Sequence, residues 1–242
     1  MSHVKTKATV ALVLTFAAGC VDIVGYLVVY KIFTSHMTGD TVHLAYNVLE
    51  KRWPEVTAVG CVLAAFVAAS VVGRAIIEVG VRREVSSIAS VTLLLEAVLI
   101  AIVAVSPGPS ARESLTILRL CTLAAAMGLQ TATITRIGSL TVHTTFVTGM
   151  LNKLAQLLSH SIFLSFDLRR DQALMAQRAK VLHEARFLFS IWVLYLMGAL
   201  VGSWTQSFWG AQSLLLPVAI TVFTILIDQR SPLSVEEERD QA

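Results

Sequence analysis

Val21-Asp22-Ile23-Val24-Gly25-Tyr26-Leu27 is the far half of an apolar run that begins at Ala8 and reaches Tyr30. About 20 apolar residues span a bilayer, whereas the apolar core of a signal peptide has about 7–15. The basic start, Met1 to Lys7, and the lipoprotein-like Ala17-Ala18-Gly19-Cys20 therefore give way to a retained first membrane helix. Near its middle sits a carboxylate, Asp22.

Five further runs are long enough to cross: 56–79, 88–105, 114–135, 187–208 and 214–227. Pro54 suits a helix start, Pro107-Gly108-Pro109 marks a turn, and Pro217 is expected to kink the sixth span. Composition agrees with this reading. The chain of 242 residues is 55% hydrophobic and 14% charged, with a mean hydropathy of +0.72. Soluble domains carry about 25% charged residues. Of the 35 charged residues, eight fall in 167–186 and five in 236–240, so little charge is left for the apolar runs. A soluble enzyme, a disordered chain and a nucleic-acid binder are excluded. Cys20, Cys61 and Cys121 lack C-x-x-C spacing and read as packing residues.

Two segments are too polar for ordinary spans and too apolar for ordinary loops. They are Ser35-His36-Met37-Thr38-Gly39-Asp40-Thr41-Val42-His43-Leu44 and Thr144-Thr145-Phe146-Val147-Thr148-Gly149-Met150-Leu151-Asn152-Lys153. Each carries Thr-Gly. Upstream of each lies a glycine in a small-residue stretch, Gly19 in the first half and Gly128 in the second. The matching spacing points to a duplication, about 8–106 and 114–228. A unit of three spans would insert its two copies in opposite senses, as in many solute transporters. The expected fold is an all-α integral membrane protein: about six transmembrane helices, two short broken or re-entrant segments, and a 3+3 inverted repeat. Eight crossings is the alternative, and the excess of Lys and Arg on one side holds in both. With six, both termini are cytoplasmic.

These residues resemble the YoaK family of bacterial membrane proteins of unknown function. The resemblance rests on Ala18-Gly19-Cys20-Val21-Asp22, Phe33-Thr34-Ser35-His36-Met37-Thr38-Gly39-Asp40, Ala126-Met127-Gly128-Leu129-Gln130 and Thr144-Thr145-Phe146-Val147-Thr148-Gly149. It implies a multi-span inner-membrane protein and no established activity. Asp40 departs from the asparagine more usual there, so a neutral-amide role does not carry over.

Among candidate site residues, Asp22 comes first. A carboxylate at a span's centre costs about 2.5–3.5 kcal/mol and usually faces a cavity or a partner; the plainer reading is a packing acid. Thr38-Gly39 and Thr148-Gly149 carry the main expectation. There a helix breaks, and the free amides of a half-helix favour an anion; the alternative is a small-residue helix crossing without ligand. His36, Asp40 and His43 share one helical face and point to a polar lining, with metal binding as a minor reading. Gln130, Thr131, Thr133 and Thr135, followed by Thr145, form a polar run fit for a hydrated lining or for interhelical hydrogen bonds. Glu96 and Arg119 are expected to form a structural ion pair, with Arg74 as an alternative partner. Asn152, Lys153, Gln156 and His160 read as an interfacial face. The linker 167–186 reads as a helix lying at anionic headgroups, and the tail 231–242 as disordered.

The expected substrate-binding set is thus Asp22, His36, Thr38, Gly39, Asp40, Gln130, Thr145, Thr148 and Gly149, serving a small-solute transporter or channel. The alternative is a non-transporting accessory or scaffold protein acting through its linker. No G-x-S-x-G, H-E-x-x-H or phosphate loop supports an enzyme. Neither a cofactor nor a metal is expected. The expected partners are the lipid bilayer and a small solute, with an anion favoured; nucleic acid is not expected, and a homo-oligomer is compatible.

Overall fold

The computed structural model describes residues 2–28, 32–106, 113–133, 136–137, 140–141, 144–167, 174–230 and 232–233. Its helices are α1 (Ser2–Val28), α2 (Met37–Leu49), α3 (Trp53–Arg82), α4 (Ile88–Val105), α5 (Glu113–Thr133), α6 (Val147–Asp167), α7 (Leu174–Trp209) and α8 (Leu215–Arg230). A 3-10 turn, Gly210–Leu214, joins α7 to α8. Two short strands, β1 (Arg136–Ile137) and β2 (Leu140–Thr141), pair antiparallel with Arg136 opposite Thr141.

Five stretches among the described residues are apolar and long enough to cross a membrane: Thr6–Leu27, Trp53–Arg82, Ile88–Val105, Leu115–Thr133 and Leu174–Arg230. The last has 57 residues, which as one helix would reach about 85 Å at 1.5 Å rise, nearly three times a hydrocarbon core. It folds back instead at Gly210, whose φ of +56° suits a residue without Cβ. Many apolar side chains point outward, among them Val67, Val71 and Val72 on α3. A surface so apolar belongs against lipid.

Packing is organised by glycines. α1 lies along α7, and α5 lies along α3. A Cβ on Gly19 would collide with the carbonyl oxygen of Tyr195, and one on Gly198 with that of Phe16. Gly202 lies one turn beyond Gly198, against Cys20 and Ile23. At the other crossing, a Cβ on Gly128 would collide with the carbonyl oxygen of Phe66, while Gly73 faces Ala132. Lipid tails are as apolar as leucine, so close backbone approach and van der Waals contact hold such helices together. α4 packs between α5 and α8. One apolar cluster joins Val10, Leu14, Leu93, Leu188 and Ile191; another joins Val24, Ile100, Leu123, Met127 and Leu214.

Asp228, at the end of α8, closes one end of the bundle. Its Oδ2 accepts the Ser90 amide at 2.8 Å and the Ser90 hydroxyl at 2.6 Å, adding to the longer bond of 3.2 Å that this amide in the first turn of α4 makes to Ser87 O. Its Oδ1 accepts the Leu233 amide at 2.8 Å.

Several expectations are corrected. The helix that carries the fifth apolar run begins well before Phe187: α7 starts at Leu174, and the charged residues of 178–186 decorate its first turns. Pro217 kinks nothing, since it lies in the first turn of α8, where the missing N–H is least costly. The second polar segment is not a short broken piece but the start of the 21-residue α6. There Met150, Leu154, Ser161 and Leu164 form a buried stripe, and Asn152, Gln156 and His160 face outward. The turn at 107–109, residues 167–173 of the linker (apart from the backbone of Asp167) and most of the tail lie outside the described residues.

Candidate functional site

The site begins at two bends. The chain bends at Thr34–Ser35 before α2, and again at Thr144–Thr145 before α6. The first helical hydrogen bonds follow at matching places, from the Asp40 amide to His36 O and from the Met150 amide to Phe146 O. The breaks therefore precede the glycines. Gly39 lies inside the continuous α2, and a Cβ there would meet nothing within 4 Å. Gly149 lies inside α6 with the Phe146 ring folded over it.

Each bend is tied to the preceding long helix. At the first, Asp22 of α1 is 2% exposed and collects donors. Its Oδ1 accepts the Thr34 amide at 3.2 Å and the Thr34 hydroxyl at 2.6 Å. Its Oδ2 accepts the Ser35 hydroxyl in a short contact and the Tyr195 hydroxyl of α7 at 2.7 Å. An ionised carboxylate is an acceptor only, and four donors satisfy it. His36 Nε2 lies 2.7 Å from the Tyr195 hydroxyl and 3.8 Å from Asp22 Oδ2. The Phe33 ring stacks on Tyr26 and lies 4.8 Å from the His36 ring.

At the second bend, neutral groups do the same work. Thr131 and Thr145 share a hydroxyl–hydroxyl bond of 2.6 Å. Gln130 Nε2 donates to Thr144 Oγ1 and to the carbonyl oxygen of Leu14, both at 3.0 Å. Its buried Oε1 has no hydrogen-bond partner.

Between the two bends is an open cavity of about 270 Å³. Ser35, His36 and Thr38 line one side; Thr145, Phe146 and Thr148 line the other, with Phe66 and Thr131 on the wall. Of the expected binding residues, His36, Thr38, Thr145 and Thr148 share this cavity. Asp22, Gly39, Asp40, Gln130 and Gly149 are not on its wall. Asp22 acts one step back, holding Ser35 and His36 in place. Asp40 is fully buried; its Oδ1 accepts the Phe33 amide at 3.3 Å, and its Oδ2 has no partner.

The face of His36, Asp40 and His43 divides. His36 turns to Tyr195 and Asp22, while His43 Nδ1 stays 4.0 Å from Asp40. Glu96 and Arg119 are not brought together. Glu96 is fully buried, with Oε1 3.4 Å from the Thr221 hydroxyl of α8 and Oε2 without a partner. Arg119 instead lines a separate cavity of about 440 Å³ beside Ser106, Gln206 and Gln212. Arg119 sits beside Val103, Ala104 and Ser106, toward the end of α4, whereas Glu96 lies two turns earlier along that helix and meets α8.

Sequence reasoning missed Tyr195, Phe66 and Thr34. Gly198-x-x-x-Gly202 was the available signal for Tyr195: it marks the α7 face that meets α1, and Tyr195 stands one turn before it.

The sequence profile of DUF1275, a family of proteins of unknown function, matches residues 10–227. Among curated proteins and among solved structures, nothing matches.

Proposed function

The chain belongs to the DUF1275 family, whose description is a protein of unknown function, and from that premise we propose a small-solute transporter or channel whose site is the cavity between the two bends. The carrying observation is that Thr38 and Thr148, 110 positions apart, line one cavity with hydroxyls and an imidazole around it. YoaK-like membership fits the same match. The volume falls just under the range of about 300–1,000 Å³ common for drug-sized ligands, so the solute is small. α2 and α6 both begin at this cavity, and helix starts favour negative charge. An anion is the favoured class.

The reading includes two inverted repeats and six crossings: α1, α3, α4, α5, α7 and α8. Its support is the exchange in packing, with α1 on α7 and α5 on α3 through equivalent glycines, Gly19 over Tyr195 and Gly128 over Phe66. An odd number of spans per unit then inverts the second unit. The chain resides in the bacterial inner membrane with both termini cytoplasmic, which places Lys5, Lys7, Arg82, Arg83 and Arg230 inside.

The test is reconstitution of the full chain in liposomes with radiolabelled sulfate, phosphate, succinate and alanine as probes. Uptake of at least one probe above protein-free liposomes is expected. Thr38→Val and Thr148→Val keep shape but delete a hydroxyl, and should each lower uptake by about tenfold. Uptake of none overturns the reading and favours the accessory role through the linker.

A further inference from the structure

Resting on the transport reading, we propose that His36 is the proton-binding site of the cavity, taking its proton at Nδ1, so that solute movement is coupled to protons. Tyr195 has a single hydroxyl hydrogen, and Asp22 Oδ2 accepts it at 2.7 Å. Tyr195 therefore has no hydrogen left for His36 Nε2, also 2.7 Å from its oxygen. Nε2 must carry the hydrogen and donate it to Tyr195. A neutral imidazole has one donor and one acceptor nitrogen, which leaves Nδ1 as the bare nitrogen. The His36 side chain is 34% exposed and that of Asp22 3% exposed. A proton arriving through the cavity meets the imidazole first.

The second half of the molecule serves as a control. Gly19 and Gly128 make the same crossing, with Tyr195 and Phe66 as their partners. Counting from these glycines and from the two bends, Asp22 corresponds to Thr131, Ser35 to Thr145, His36 to Phe146 and Tyr195 to Phe66. The Thr131–Thr145 bond holds the second bend with no ionisable group in those four places. The bend itself thus needs neither acid nor imidazole. Ionisable side chains at membrane depth are costly and tend to mark proton and ion pathways, and this set occurs on one side only.

The groups facing His36 are few. α1 contributes Asp22 at 3.8 Å and α7 contributes Tyr195. Asp40 of α2 interacts electrostatically with both Asp22 and His36. His43 lies 4.0 Å beyond Asp40. α3, α5 and α6 present Phe66, Thr131 and Thr148, all uncharged. Histidine gains and loses charge between about pH 5 and 8, so protonation adds one positive charge to a cavity flanked by two acids. Beside those acids the added charge lowers the net negative charge at the cavity and so eases entry of an anion, and loss of the proton on the other side restores the repulsion that releases it.

The experiment is nitrogen-15 NMR of the full chain, labelled at histidine and reconstituted in liposomes. The resonance missing in His36→Gln identifies this ring among the six histidines. At about pH 8 the ring is expected with hydrogen on Nε2 and a bare Nδ1, which becomes protonated by about pH 5. Tyr195→Phe should release the fixed tautomer into a mixture. In the uptake assay, an acid-outside gradient of about one pH unit should raise wild-type rates several-fold, and His36→Gln should lose that response. A neutral ring with hydrogen on Nδ1, or a ring that does not titrate across this range, overturns the proposal. Uptake indifferent to the gradient also overturns it and leaves the transport reading standing. Absence of uptake for every probe overturns both, whatever the tautomer.

Discussion

Tyr195 donates its hydroxyl hydrogen to Asp22 Oδ2 over 2.7 Å, although the two residues stand 173 positions apart. Backbone packing sets this bond. Gly19 brings α1 onto the carbonyl of Tyr195 itself, and Asp22 lies one turn further along the same face. The bond then fixes Ser35 and His36, and through them one wall of the cavity.

Tyr195→Phe keeps the ring and removes that donor. Asp22 is left with Thr34 and Ser35, and His36 Nε2 with no acceptor. Hydrogen bonds to charged groups are worth about 1.5–3 kcal/mol, so the purified protein should melt several degrees lower in detergent. An unchanged melting curve contradicts the assignment.

Glycines of equal appearance should behave oppositely. Gly39→Ala places a methyl in open space inside α2 and should be neutral or stabilise by up to about 1 kcal/mol. Gly19→Ala drives a methyl into the Tyr195 carbonyl and should cost about 1–3 kcal/mol or more through overpacking. Folded yield and melting temperature of the two variants, side by side, check this. Equal effects would remove the α1–α7 crossing from the account.

Asp228→Ala removes an acceptor from the Ser90 amide, the Ser90 hydroxyl and the Leu233 amide at once. Loss of such a cap costs about 0.5–2 kcal/mol. Hydrogen exchange at the start of α4 should quicken by about tenfold, since 1.4 kcal/mol is one decade. Unaltered exchange there would show that α4 holds its own end.

Topology has its own check. In a cysteine-free background, single cysteines at Lys51, Glu84 and Arg230 are labelled with a membrane-impermeant maleimide from outside the cell. Six crossings predict reaction at position 51 alone. Eight crossings predict reaction at position 84 and none at 51.

Much of the helix layout was legible because apolar length is a one-dimensional signal. The fourth helix runs over Ile88–Val105, as its apolar run indicates, and Pro54 starts α3. Facing direction was not legible. Glu96 and Arg119 were expected to bridge a depth difference of about 7–8 Å, but counting from a turn does not say which side chains meet, and Glu96 meets Thr221 of α8 while Arg119 sits beside Val103 and Ser106. The Thr-Gly pairs marked the right neighbourhood and the wrong residues: the bends fall at Thr34–Ser35 and Thr144–Thr145, where side chains from distant helices supply hydrogen bonds. Asp22 was visible as a costly acid. Its four donors were not, because one comes from α7.

The central claim is that the two bends enclose one water-accessible cavity. Thr38→Cys and Thr148→Cys, combined in the cysteine-free chain in native membranes, test it with a hydrophilic bifunctional thiol reagent spanning about 8 Å, a length suited to a pocket of this size. The account predicts a bridge within one chain, formed only in the double variant. Reaction at both single sites without any bridge in the double variant, or reaction at neither, would contradict it.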